Sequence, residues 1–280
     1  MDKGRIKNII IIVLALVNVF LAAMVLIDKA QSDVYAQEAK KNLVGALSAG
    51  GISVADSGVL DVSSVPACTL ARDYTREAKL ISSVLGRVET KDQGGNIIMY
   101  YGENGQACFR GTGDFEILME NDSVRVGSDI VQTSQNFLKK VGIEMSGEDA
   151  QVVTASGGGS SVLTAVCRYK DRPITNCVVK LTYSETNLLL VTGTCPLTGV
   201  TENGGGGELD AATAVMRLLD ILDNSGYVCS EIQDLSHCYK MDVSASGEGT
   251  LTPLWHFSTD IGDFYVNGIT GKAETVTQNN

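Results

Sequence analysis

The chain has 280 residues, 33 acidic and 22 basic side chains and a formal net charge of −11; 44% of it is hydrophobic and 6% aromatic. An acidic balance without clustered Lys and Arg excludes nucleic-acid binding through phosphate neutralisation, and an anionic wall polymer would not be drawn to it by charge. Thirty glycines against four prolines imply many tight turns and no proline-rich spacer.

Residues 9–27 read IIIIVLALVNVFLAAMVLI, 19 residues without a charge. At about 1.5 Å per residue a helix of that length spans about 28 Å, close to a bilayer's hydrocarbon core. Lys3, Arg5 and Lys7 precede it and Asp28 follows. The positive-inside rule then places the N-terminus in the cytoplasm and the body outside it, a single-pass cell-membrane protein surrounded by lipid at its anchor. A cleavable signal peptide is the alternative, but Val34-Tyr35-Ala36 is a poor cleavage site and lies far downstream. Ala15, Asn18 and Ala22 share one helix face. They offer a small, weakly polar stripe for another transmembrane helix, or an Asn the lipid tolerates.

Beyond the anchor, Val34, Ala39, Leu43 and Leu47 predict a helix over 28–50, ended by Gly50-Gly51. Residues 52–69 read as strand or loop, and Leu70 to Leu85 as a helix stopped by Gly86. Residues 96–101, 106–110 and 114–120, separated by glycine-rich turns, predict an antiparallel meander. Residues 128–141 form the next helix. Strands follow at 162–169, 174–183 and 188–193, with Lys170-Asp171-Arg172-Pro173 as a hairpin turn. After Gly204–Gly207 a helix is expected over 209–224, then strands at 228–232, 238–244, 254–258 and 264–267. The expected fold is α+β, a transmembrane helix followed by an elongated body of repeated helix-plus-meander units. The boundaries are a tail at 1–8, the anchor at 9–27, units at 28–125, 126–202 and 203–275, and a polar tail at 276–280.

Seven cysteines (Cys68, Cys108, Cys167, Cys177, Cys195, Cys229, Cys238) cannot all pair within one chain. Cys167 with Cys177, and Cys229 with Cys238, flank expected hairpin turns, which leaves cross-strand disulfides or buried reduced thiols open. His237 and His256 lack ligand spacing and no C-x-x-C pair exists, so no metal or cofactor is expected. No nucleophile elbow or phosphate loop occurs, and no enzymatic activity is expected.

The opening Lys7-Asn8 and its Asn-containing apolar stretch resemble YycI-type regulatory proteins, membrane-anchored accessories of the cell-wall sensor kinase and relatives of YycH. The ending is similar to that family's terminal hairpin: Pro253, Trp255 and His256, then Tyr265, Val266, Asn267, Gly268 and Gly271, with Gly268 in place of Ala. Arg172-Pro173-Ile174 is similar to its middle-domain turn. The terminal hairpin also resembles PepSY-type modules. The YycI resemblance implies a non-enzymatic regulator of a two-component sensor histidine kinase controlling cell-wall metabolism. It would act through the Ala15, Asn18 and Ala22 face and through contact with a YycH-like accessory protein. The hairpin residues Pro253, Trp255, Tyr265, Asn267 and Gly271 are expected to be structural. The rival is a PepSY-like module that binds or inhibits a protease or other secreted protein. An exposed apolar groove would favour it.

Overall fold

The computed structural model describes residues 37–275, apart from 56–57, 64, 128, 156–158, 197–198, 204–206 and 245–246, together with Leu14 and Asn18. Its helices are α1 (37–49), α2 (Tyr74–Leu85), α3 (Ile130–Lys140) and α4 (Ala211–Ser225). Asp73, Asp129 and Asp210 cap the last three by accepting backbone N–H bonds from Arg76, Val131 and Thr213, satisfying donors that have no intrahelical partner. The cap at Asp73 explains why α2 starts four residues later than its apolar pattern. Gly226, at φ +69°, ends α4 in the left-handed conformation that glycine adopts without strain.

The strands are β1 (Ser53–Val54), β2 (Cys68–Ala71), β3 (Glu89–Asp92), β4 (Ile98–Gly102), β5 (Gly105–Phe109), β6 (Asp114–Met119), β7 (Glu144–Met145) and β8 (Gln151–Thr154). Then come β9 (Ser160–Tyr169), β10 (Arg172–Ser184), β11 (Asn187–Thr194), β12 (Gly199–Glu202), β13 (Glu231–Val243), β14 (Glu248–Thr259), β15 (Gly262–Asn267) and β16 (Ala273–Glu274). One half of the molecule is an antiparallel array running β3-β4-β5-β6-β11-β10-β9, with β7 and β8 on the far edge of β9. Helices α2 and α3 cover one face of it through Ile81, Leu85, Phe137 and Leu138, against Phe109, Ile117, Leu163 and Leu181. In the other half α1 and α4 place Leu43, Leu47, Val215 and Leu218 against Ile232, Leu235, Trp255 and Phe257 of β13 and β14.

The halves are one sheet because β10 belongs to both. Its C-terminal part pairs with β9 and β11, while Ile174 pairs in parallel with Tyr239 of β13. Where the ladder breaks, Asn176 takes its place: Nδ2 donates to Met241 O at 2.7 Å, and Met241 N–H donates to Asn176 Oδ1 at 2.9 Å. A side-chain amide thus presents to β13 the donor and acceptor that a peptide unit would.

Two expectations are corrected. The body is not a series of repeated helix-plus-meander units but a mostly β structure with one large mixed sheet. Early strands are built into its far end, β1 beside β13 and β2 between β12 and β14. The hydrophobic periodicity shows each element's buried face but not which strand lies beside it, so the pairing of Ser53 with Glu231 and of Cys68 with Leu251 went unread. Second, among the described residues no helix is long and apolar enough to cross a membrane. The single-pass anchor, with its cytoplasmic N-terminus and extracytoplasmic body, is not supported; residues 9–27 lie outside the described residues except Leu14 and Asn18.

Candidate functional site: a groove between a helix and an edge strand

An open groove of about 570 Å³ lies between the first turns of α2 and the edge strand β3. Tyr74, Thr75 and Ala78 form its helix wall, Thr90 and Asp92 its strand wall, and Ile98 and Tyr100 of β4 its floor. The alternation of the sheet sets the strand wall. Thr90 and Asp92 lie opposite Tyr100 and Ile98, so their side chains share the helix-covered face. Gln93 N–H donates inward to Ile97 O at 2.9 Å. By alternation Glu89 and Lys91 also turn their backbone groups to β4, and Thr90 and Asp92 turn theirs to the open edge. The apolar floor thus lies on the β4 side of the strand, and the outward donors and acceptors of Thr90 and Asp92, unpaired among the described residues, lie on its other side.

Beneath it lies a buried polar network. Arg72 forms a two-pronged ion pair with Glu77, Nε to Oε2 at 2.8 Å and Nη2 to Oε1 at 2.7 Å, and both side chains are almost fully buried. Tyr100 OH donates to Glu77 Oε1 at 2.8 Å. Burial, then the Glu77 charge, pushes the phenol's pKa up and keeps it a donor. The Arg72 guanidinium also sits 4.8 Å over the Tyr74 ring, and Tyr74 OH donates to Asn96 Oδ1. These contacts fix the floor and helix wall in one geometry, the preorganisation a binding groove needs.

The sequence did not single out this groove. Its signal was an ordinary amphipathic helix followed by the charged strand Glu-Thr-Lys-Asp, and only the packing brings them to opposite sides of a trough. A second, more polar cleft of about 350 Å³ lies beside α3, lined by Gln132, Gln135, Asn136, Lys139 and Arg168 among others.

Of the residues expected to bind a partner helix, Ala15 and Ala22 lie outside the described residues, and Asn18 is helical and exposed. The terminal hairpin residues sit together on β14, β15 and the turn after them. Trp255 is 2% exposed and its Nε1–H donates to Leu209 O at 3.2 Å. Asn267 Oδ1 accepts from Ile269 and Thr270 N–H at 3.0 and 2.9 Å, and Gly271 N–H donates to Asn267 O. Pro253 is buried opposite Tyr239, and Tyr265 stacks on His256 with ring centroids 4.8 Å apart. A Cβ at Gly268 would lie 2.8 Å from Pro253 O, which is why glycine suits that position.

All seven cysteines are free thiols, six of them buried. Burial pushes the Cys167 and Cys238 thiols up to about 12. Cys238 lies in mid-β13 rather than at a hairpin. Neighbours on a strand point to opposite faces, so His237, against Trp255 with centroids 3.9 Å apart, and Cys238 cannot reach a common ion. Among the described residues no group of three or more His, Cys, Asp or Glu is placed to hold a metal.

No family model matches the chain, and no curated protein does. Solved structures are similar to it, two of them as follows. One, an uncharacterised protein from Eubacterium rectale, shares 10% identity with a TM-score of 0.41, over 80% of this chain and 92% of that one. The other, the Bacillus megaterium YpeB C-terminal domain, shares 11% identity with a TM-score of 0.34, over 75% and 98%. Neither likeness is close enough to carry a conclusion about fold or activity, and nothing among the matches points to a YycI-type protein.

Proposed function

We infer that the chain is a non-catalytic binding module that holds an extended segment of a partner protein along the open edge of β3, beside the groove between that strand and α2. The observation that carries this reading is an edge strand whose outward groups, on Thr90 and Asp92, are unpaired among the described residues and whose inner side walls an apolar trough. Strand addition of this kind draws affinity from main-chain hydrogen bonds and selectivity from alternate side chains entering pockets. Glu89, Lys91 and Asp92 guard the edge against indiscriminate pairing, so selectivity falls to partner side chains that reach across Thr90 and Asp92 toward the trough. In its regulatory form the module would bias a partner by binding one of its states better than the other; about 1.4 kcal/mol of difference shifts such a ratio tenfold. The sensor kinase and the YycH-like protein implied by the YycI resemblance are the first partners to test, and a protease is the third.

Selection of extended peptides from a random library tests the reading, using the wild type and a variant carrying Thr75→Arg and Thr90→Pro. Both positions are exposed, and the proline removes an N–H that points away from β4. Peptides enriched on the wild type should bind the variant at least tenfold more weakly. Peptides that bind both alike, or no enrichment over the variant, would overturn it.

A further inference from the structure

The two edges of the antiparallel half are built differently. Strand β3 carries Glu89, Lys91 and Asp92, three charges in four residues. Strand β8 at the opposite end reads Gln-Val-Val-Thr, and from Ala150 to Cys167 the chain holds no charged residue. All four β8 residues are exposed, Val153 at 69%, and among the described residues β8 pairs only with β9. An uncharged, apolar, open edge is what other folds block with lysine, proline or a covering element.

The hydrogen-bond phase of β8 determines what fits there. Ala155 N–H donates to Ser160 O at 2.9 Å, so Val153 and Gln151 turn their backbone groups to β9, and Val152 and Thr154 turn theirs outward. Thr154 Oγ1 and Ser161 Oγ lie 3.0 Å apart, the close side-chain approach of a non-hydrogen-bonded pair. The outward pattern is donor and acceptor at 152, none at 153, donor and acceptor at 154. That pattern is its own complement when reversed about Val153.

We propose that this edge binds a second copy of the chain, β8 against β8, antiparallel about a two-fold axis through Val153. Val152 of one copy exchanges both backbone bonds with Thr154 of the other, and the reverse, giving four hydrogen bonds. Val153 meets its own counterpart at the axis, where opposed side chains come closest, and the contact is isologous. Charge at the edge itself leaves room for this occupant. Two chains of net charge −11 repel over most of their surfaces, and this edge lets them meet with no like charges apposed. Four residues a side make a small interface, so the dimer is weak and concentration-dependent.

Two measurements on the full chain test it. Sedimentation equilibrium should show a monomer–dimer equilibrium whose dissociation constant rises at least tenfold in Val153→Lys, which puts two ammonium groups at the axis. In a Cys108→Ser background, where the remaining native thiols are buried, Val153→Cys should form a disulfide dimer under mild oxidation at least tenfold faster than Lys91→Cys on the guarded edge. A wild type that stays monomeric, a dimer unmoved by Val153→Lys, or equal cross-linking at the two edges would each overturn the proposal.

Discussion

Single residues carry unequal weight, and the buried ion pair of Arg72 and Glu77 carries more than any surface pair. Removing one partner strands the other charge in the interior, at a cost of about 3–5 kcal/mol, whereas replacing both by apolar residues is far milder. Glu77→Ala should therefore lower unfolding stability in urea by about that amount, and Arg72→Met with Glu77→Leu by much less. His237 gives a pH-dependent counterpart. Its Nε2–H donates to Ser63 O at 2.7 Å, while Nδ1 is buried without a partner among the described residues. Burial, working against the nearby Asp61 charge, lowers its pKa to about 4. The unfolded chain, with a histidine pKa of about 6.5, then binds more protons than the folded one between pH 6.5 and 4. Stability must fall as pH falls through that window, by at most about 3 kcal/mol. Asp61 and Arg172 border the site, and Asp61, itself held below its usual value, titrates below the window. Urea midpoints at pH 7 and pH 4.5 measure the loss, which His237→Phe should reduce. Neither site was legible in the sequence, because Arg72 and His237 look like any polar residues near a turn until burial is known.

At the scale of elements, the helices were the readable part. α2, α3 and α4 lie within the expected segments, give or take a few residues, because apolar spacing and terminal glycines act locally. The strands of the C-terminal half read less well. Strands were expected at 228–232 and 238–244, and residues 231–243 form the single strand β13, with a register shift between Ile232 and Asp234. The residues between are held by the 59–63 segment and β14 rather than by a turn, and those neighbours are distant in sequence. The element on which the proposed function rests is β3. Thr90→Pro alone should weaken an edge-bound peptide at least tenfold and shift the urea midpoint little, since its N–H faces outward. Isothermal titration beside the unfolding curve separates the two effects.

For the whole molecule, the joint at β10 decides whether the halves behave as one body. Asn176 is exposed yet holds both backbone groups of Met241. Asn176→Ala should cost about 1–2 kcal/mol and speed amide exchange at Met241 before it affects the floor of the groove. The joint was invisible beforehand because the Pro173 turn and the β10 pattern say nothing of a parallel neighbour 65 residues away. The central claim is that the edge of β3 receives a strand beside an apolar trough. Amide hydrogen exchange with and without a selected peptide addresses it most directly. The Thr90 and Asp92 amides, open in the free protein, should slow at least tenfold on binding, while Lys91, already paired to β4, changes little. A bound peptide that leaves Thr90 and Asp92 exchanging at their free rates would contradict it.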